Sequence, residues 1–499
     1  MASSTVQPHT LEHGWQRLKD SLLPWYALLI LILTPIYYKT LLPGLGFWGD
    51  SAKFQFAGKV LGTAHLPGYP LYLMLNYAFV NLFPKGTLAF KVNLLSACFS
   101  LLAILVFFNL LVELRIRPLV AFASSLTYAL SYTFWLFSLV AEVYSLNILF
   151  VAIVLNLLIR WRQSRRDRYF YAACLAYAIS FGNHQTMIAL LPSFIYLVWI
   201  TEKSIFWNPK KILIVLGCIA LGLSQYLYIA WRTNDPSTLF LESDTQAWLN
   251  FMRSPGTDVA FHMTLSEIMS ERVPLALGFF WTNFLLLIPL AIWGVVLVKE
   301  RWLNVALLLL LVTNTLLVLQ LEFPGPDGVY MPSFLVVAIY TSFALEEIAR
   351  RLLGKPGFTL VLLAIPALIL AINYQRVDQS QHTLHAEIVE KVMAELNHGA
   401  LILADEYEYA TYFWYYLIGE GQGARDIYAL PHYDADADQI QRYLEGQEGI
   451  YIWEQRLTVP PGLPVYTLWK IAPELEQMGF QVDETGLKYL YKVRLPEEY

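Results

Sequence analysis

Charge is scarce in this sequence. Of 499 residues, 15% are charged and 57% are hydrophobic, whereas a soluble globular chain is nearer a quarter charged and half apolar. The net charge is -5, so no basic excess points to nucleic acid. Cysteine is also sparse. Cys98, Cys174 and Cys218 lie in apolar stretches without metal-ligand spacing and read as small buried apolar residues. There is no phosphate-binding glycine loop, no GxGxxG after a strand, no HExxH and no CxxC pair. The energy for any transfer must therefore arrive with an activated substrate, and we expect no cofactor and no metal site. Internal repeats and low-complexity linkers are missing too, which gives an inverted-repeat transporter no support.

Long apolar runs are what the chain has. Spans read near 24–43, 88–112, 118–137, 139–159, 169–183, 185–200, 211–231, 275–298, 302–321, 332–349 and 358–374. About 11 helices of this kind make a polytopic α-helical membrane protein, because about 20 apolar residues cross a hydrocarbon core of about 30 Å. Residues 1–23 are polar and read as a cytoplasmic segment. The first apolar run continues without a small-residue cleavage site, so no cleavable signal is expected.

Lysine and arginine set the orientation. With the N-terminus in the cytoplasm, inner segments hold Arg115, Arg117, the run "RWRQSRRDR" (160–168), Lys210, Lys211, Arg350 and Arg351, and the outer loops hold fewer. If residues 66–84 crossed the membrane, the arginine run would face outward. "LPGYPLYLMLNYAFVNLFP" is therefore expected in or on the outer leaflet, inside an external loop 44–87. A second external loop covers 232–274, and the membrane part ends near 374. Residues 375–499 are polar and acidic. "ALILADE" and "GIYIWEQ" read as strands, "HAEIVEKVMAELN" and "ADQIQRYLEG" as helices, and together they predict an extracytoplasmic α/β domain.

This orientation sends Asp50, His65, Glu142, His184, Arg232, Asp235, Asp258, His262 and Asp327 to one face. Ionisable groups are costly at a helix centre and far less so near the interface; their gathering suggests an active site at the outer surface, though polar residues also collect in loops by default. Asp50 either caps the helix that follows it or acts as a general base. His65 in "TAHLPGYP" is an interfacial residue or a site residue, with its direction fixed by the prolines. Glu142 either complements a helix dipole or joins the site. Asn183 and His184 form the turn "GNHQ". Arg232 forks onto a lipid phosphate or snorkels to headgroups. Tyr330, in the rigid loop "EFPGPDGVYMP", stacks on a sugar or anchors the interface.

The stretch "WGDSAKFQFAGKVLGTAHLPGYPLYLMLNYAFVNLFPKGTLAFKVNLLSA" resembles the signature of the protein O-mannosyltransferase-like family, membrane glycosyltransferases of the GT-C fold. "TFWLFSLVAEVYSLNILFVAIVLNLLIRW" and "SFGNHQTMIALLPS" match its later helices, and "YLYIAWR" and "VYMP" echo it more weakly. The similarity covers roughly residues 45 to 340. Leu66 departs from the family's usual His-Pro-Pro. The resemblance implies transfer of a sugar, mannose by analogy, from a polyprenyl-phosphate donor lipid to an acceptor hydroxyl on a protein or glycan, with inversion. It implies Asp50 as the base, Arg232 with Lys53 or Lys59 on the donor phosphate, and His65, Tyr69, Glu142, Tyr144, Asn183, His184 and Tyr330 around acceptor or sugar. The expected setting is a prokaryotic plasma membrane with the site outside, or the endoplasmic reticulum lumen in a eukaryote. A transporter or flippase of a lipid-linked glycan is the alternative.

Overall fold

The computed structural model describes residues 8–46, 49–64, 68–232, 263–322, 325–352, 357–396, 399–404, 407–422, 426–452, 457–469 and 471–496. In chain order its helices are α1 (Pro8–Thr40), α2 (Ser51–Ala57), α3 (Pro70–Leu82), α4 (Leu88–Glu113), α5 (Pro118–Ala129), α6 (Tyr132–Phe137), α7 (Tyr144–Ser164), α8 (Asp167–Ser180), α9 (Leu191–Glu202), α10 (Pro209–Ser224), α11 (Leu227–Arg232), α12 (Val273–Phe284), α13 (Ile288–Leu297), α14 (Arg301–Leu319), α15 (Met331–Leu352) and α16 (Phe358–Val377). Among the described residues, eight helices are long and apolar enough to cross a membrane, or nine if the bent pair over 265–297 is one span.

Each of the eleven expected spans meets a helix, and the differences have local causes. The run 118–137 breaks at Leu130 and Ser131: α5 stops after 12 residues and a new helix of 6 residues begins. The run 139–159 starts later, at Tyr144, because Leu139 to Val143 form an irregular corner. The polar N-terminal segment continues α1 back to Pro8. Helix α3 has 13 residues; at ~1.5 Å rise per residue it reaches about 20 Å, short of the ~30 Å core. It lies against the bundle with Tyr72, Leu73, Asn76 and Val80 buried. Cys174 is buried as expected, whereas Cys98 is exposed on α4 and Cys218 lies between.

Successive helices bring opposite ends to the same side. One end of the bundle collects ion pairs: Arg160 with Glu113 at 2.6 Å, Arg117 with Glu346 at 3.1 Å, and Lys211 with Asp167 at 2.9 Å. The other end collects the C-terminus of α1, all of α2, and the N-termini of α4, α7 and α15. Helix α15 runs through the centre, buried from Met331 through Ser342. α10 lies outside, with Leu213, Leu216, Leu221 and Leu223 exposed, as a lipid-facing helix requires.

Beyond α16 come α17 (Leu384–Glu395), β1 (Ala400–Ala404), α18 (Tyr407–Trp414), β2 (Ile427–Pro431), α19 (Ala437–Leu444), β3 (Ile450–Ile452), β4 (Leu457–Val459), β5 (Val465–Leu468), α20 (Ala472–Gln477), β6 (Gln481–Glu484) and β7 (Leu490–Arg494). The sheet runs β2-β1-β5-β7-β6. β1 is parallel to both neighbours and β7 is antiparallel to both of its own. β1 is buried throughout, as a central parallel strand must be. "GIYIWEQ" contributes β3 to a separate hairpin with β4 rather than to this sheet.

Close helix packing depends on small residues. A Cβ on Gly294 of α13 would lie 1.9 Å from the Tyr340 carbonyl oxygen of α15, whereas one on Gly278 of α12 would meet nothing within 4 Å. Gly294→Ala is therefore expected to force the two helices apart and lower the thermal midpoint in detergent, by about 1–3 kcal/mol of overpacking. Gly278→Ala should leave it unchanged or raise it slightly. Equal midpoints for the two variants would contradict this crossing.

Candidate active site

The stretch that opens the family-like region builds the site. Asp50 occupies the position before α2, but its side chain makes no cap hydrogen bond. It pairs instead with Lys53, Nζ to Oδ1 at 2.6 Å. Lys53 is 2% exposed and Asp50 34% exposed, so the lysine is buried and the carboxylate remains partly open to its surroundings. Burying a lysine is costly unless an anion meets it, and Asp50 is that anion.

All seven residues of α2 are buried, and polar side chains lace it in place. The Gln55 amide donates to Asn93 Oδ1 at 3.0 Å, Asn93 Nδ2 donates to the Leu42 carbonyl at 3.0 Å, and Asn76 Nδ2 donates to the Phe54 carbonyl at 2.8 Å. A Cβ on Gly58 would lie 2.4 Å from the Asn76 side chain, so glycine lets α3 approach the end of α2. Asn76 and Asn93 were not among the expected site residues. An asparagine in an apolar helix is nonetheless a readable signal, since a buried amide needs partners.

Glu142 sits in the corner before α7, 6% exposed. Ser51 Oγ donates to its Oε1 at 3.4 Å. Burial pushes the Glu142 carboxyl well above the usual range, the neighbouring Asp50 carboxylate raises it further, and Lys53 and Ser51 offset this only in part. One carboxyl group is therefore paired with a cation, while burial disfavours ionisation of the other. Divergent carboxyl environments of this kind separate acid and base roles.

Tyr69, Tyr144 and His184 complete the wall. Tyr69 has φ 45 and ψ 48, a left-handed conformation unusual for a bulky residue. Gly68 before it has φ 87, and a Cβ there would lie 2.5 Å from Ile229 Cδ1. The strain aims Tyr69 at the site, where its ring centroid is 5.9 Å from that of His184. Tyr144 is 5.8 Å from His184 on the other side. Burial raises the Tyr69 hydroxyl well above its ordinary pKa, and the Asp50 and Glu142 carboxyls add to it, so it remains a hydrogen-bond donor. His184 Nδ1 accepts from the Thr186 backbone N–H at 3.2 Å, which places the proton of the neutral ring on Nε2. Asn183 is buried and donates to the Val143 carbonyl at 3.1 Å, beside Glu142. The Leu71 N–H donates to the Gly182 carbonyl at 2.9 Å. The "GNHQ" turn thus ties α3 to the corner that holds Glu142.

The remaining candidates fall elsewhere. Arg232 is buried and donates to the carbonyls of Leu61 at 2.6 Å and Val60 at 3.3 Å. Tyr228 donates to the Gly62 carbonyl at 2.6 Å. α11 therefore clamps the loop after α2. Lys59 is on the surface and donates to Asn81 at 3.0 Å. Tyr330 is buried among Phe279, Phe280 and Phe334, with centroids 5.9, 5.9 and 6.0 Å away. His65, Asp235, Asp258 and His262 lie outside the described residues. Among the described residues, no group of three or more His, Cys, Asp and Glu could hold a metal ion.

Residues 50–206 match the family model described as "Protein O-mannosyl-transferase TMEM260 N-terminal domain". The chain is 28% identical over 229 residues to protein O-mannosyl-transferase tmem260 of Dictyostelium discoideum, a match covering 42% of this chain and 28% of that protein. It is 29% identical over 214 residues to protein O-mannosyl-transferase TMEM260 of Mus musculus, covering 40% and 30%. The chain thus spans less than a third of the length of these curated relatives. The fold matches ArnT from Cupriavidus metallidurans in the apo state, with a TM-score of 0.63 at 10% identity, over 95% of this chain and 98% of that one. The same figures hold for that protein bound to undecaprenyl phosphate. Residues 50–206 thus match the protein O-mannosyl-transferase-like family model, and the chain as a whole shares the fold of ArnT.

Proposed function

We propose that this chain is a membrane glycosyltransferase that moves a sugar, mannose by family analogy, from a polyprenyl-phosphate lipid to an acceptor hydroxyl on protein. The observation that carries the reading is the Asp50–Lys53 pair in electrostatic contact with the buried Glu142, whose neighbours Tyr69 and Tyr144 both pack against His184. The curated relatives are named for protein O-mannosyl transfer, and a solved structure of the same fold holds undecaprenyl phosphate. The pairs Arg160–Glu113 and Arg117–Glu346 lie at the opposite end of the bundle. If that end is cytoplasmic, as arginine-rich ends are, the site opens outward, where nucleotides are scarce and a lipid-linked donor serves. A transporter would place its titratable groups at mid-membrane; this cluster lies at the helix ends.

In the proposed reaction the acceptor oxygen attacks the anomeric carbon as the carbon–phosphate oxygen bond breaks on the opposite face, so the centre inverts. Asp50 takes the acceptor proton. The departing polyprenyl phosphate carries the electron pair, and its charge is met by Lys53, while Arg232 holds the loop after α2 through the Val60 and Leu61 carbonyls. Lys59, on the surface, is left to the lipid headgroup region. Tyr69, His184 and Tyr144 offer ring faces and N–H or O–H donors to the sugar or acceptor, and Asn183 holds the turn that presents them. His65, outside the described residues, remains a candidate by sequence alone, and Tyr330, packed among phenylalanines, supports the wall rather than contacting sugar.

Asp50→Asn is expected to abolish transfer in membranes supplied with polyprenyl-phosphate-mannose, by about a hundredfold or more, while donor binding survives. Full activity would remove Asp50 as the base. The raised Glu142 predicts a rate that is full while Glu142 is protonated and falls as pH rises through its elevated value. Glu142→Gln fixes the neutral form, so its pH profile should lose that alkaline limb whatever its maximal rate. An unchanged limb would assign the titration to another group.

A further inference from the structure

One buried carboxylate takes no part in the reaction as drawn. Asp327 precedes α15 and is 5% exposed. Among the described residues its Oδ1 is buried and makes no side-chain hydrogen bond, while the backbone N–H groups of Asp327 and Gly328 lie close to the carboxylate. Its Oδ2 faces Thr133 Oγ1 at a long 3.5 Å. Thr133 is itself oriented. The Asn283 amide donates to Thr133 Oγ1 at 2.9 Å and accepts from the Thr133 N–H at 2.9 Å. With its oxygen already accepting from Asn283, the Thr133 hydroxyl turns its hydrogen toward Asp327. The relay orients one carboxylate oxygen, and the other keeps acceptor capacity beyond the neighbouring backbone N–H groups.

Packing ties this group to the proposed site. A Cβ on Gly328 would lie 2.5 Å from Tyr144 Cδ2, so the backbone next to Asp327 backs directly onto the ring that faces His184. Asp50, Glu142 and Asp327 all lie within electrostatic reach of the Tyr144 hydroxyl. The segment is held firmly: Asn314 Nδ2 donates to the Val329 carbonyl at 3.1 Å, and Tyr128 donates to that of Met331 at 3.1 Å.

We propose that Asp327, set by Thr133 and Asn283, is a subsite that accepts hydroxyl donors from the sugar of the lipid-linked substrate. The inference rests on the glycosyl-transfer reading. A carboxylate oxygen in a closed wall is an acceptor only, so it selects hydroxyls and rejects phosphate. The sugar's hydroxyls then lie at Asp327 and the phosphate on the cationic side with Lys53. Asp327 acts as a specificity-determining residue and moves no proton in the transfer.

The test compares binding of polyprenyl-phosphate-mannose and bare polyprenyl phosphate to the purified full chain by native mass spectrometry. Wild type should prefer the mannose-bearing lipid. Asp327→Asn and Thr133→Val should reduce that preference, about tenfold or more for Asp327→Asn, with the affinity for bare polyprenyl phosphate unchanged. Unchanged bare-lipid binding also reports that the variants are folded. A preference that persists in Asp327→Asn overturns the subsite, as does an equal loss for both lipids. A wild-type chain that does not distinguish the two lipids overturns the glycosyl-transfer reading itself, and the subsite with it.

Discussion

The site depends on a lysine that has no business being dry. Lys53 is 2% exposed on a helix of seven residues, every one of them buried. An ammonium group in such a place is stable only against an anion, so Lys53 fixes Asp50 at 2.6 Å and holds it back from the capping role its position offers. The same charge reaches Glu142 and offsets only part of the burial that keeps it an acid. One buried cation thus pairs with one carboxyl group and partly offsets the burial of another, and the amide lacing by Gln55, Asn76 and Asn93 keeps the helix that carries it from turning.

The polar domain at the C-terminus supports this helix from behind. A Cβ on Gly419, in the turn after α18, would lie 2.6 Å from Phe56 Cβ of α2. Tyr415 accepts from the Ala89 N–H at 3.1 Å and donates to Glu420 at 2.8 Å, so it satisfies one of the open N–H groups at the start of α4. On the membrane side, the Gln379 N–H donates to the Thr40 carbonyl at 3.0 Å. The mobile possibilities of a short helix at a bilayer edge are removed by the bundle on one face and by the sheet domain on the other.

Much of this was legible in the sequence. Apolar length located the helices, and the arginine run fixed which helix ends share a side, because charge bias and span length are local properties. Asp50, Glu142, Asn183 and His184 stand out in short motifs, Lys53, Tyr69 and Tyr144 enter through the family resemblance, and the fold gathers them at one end. The pairings were not legible. No local pattern shows that Lys53 turns to Asp50, that Arg232 clamps the carbonyls of Val60 and Leu61, or that Tyr330 points into phenylalanines. Those are consequences of tertiary approach, as is the Asp327–Thr133–Asn283 relay, whose members are separated by up to 194 residues. The break after α5 was missed because apolar periodicity continues through Leu130 and Ser131 while the backbone does not.

The proposed donor seats its lipid-linked sugar between α2 and the corner before α7. A polyprenyl-phosphate-mannose carrying a photoreactive diazirine on the sugar tests that directly, with adducts mapped by peptide mass spectrometry. The predicted adducts fall on residues 50–53, 69, 142–144, 183–184 and 327–330. Adducts confined to the arginine-rich end near Glu113 and Arg160, or scattered over lipid-facing α10, would contradict it.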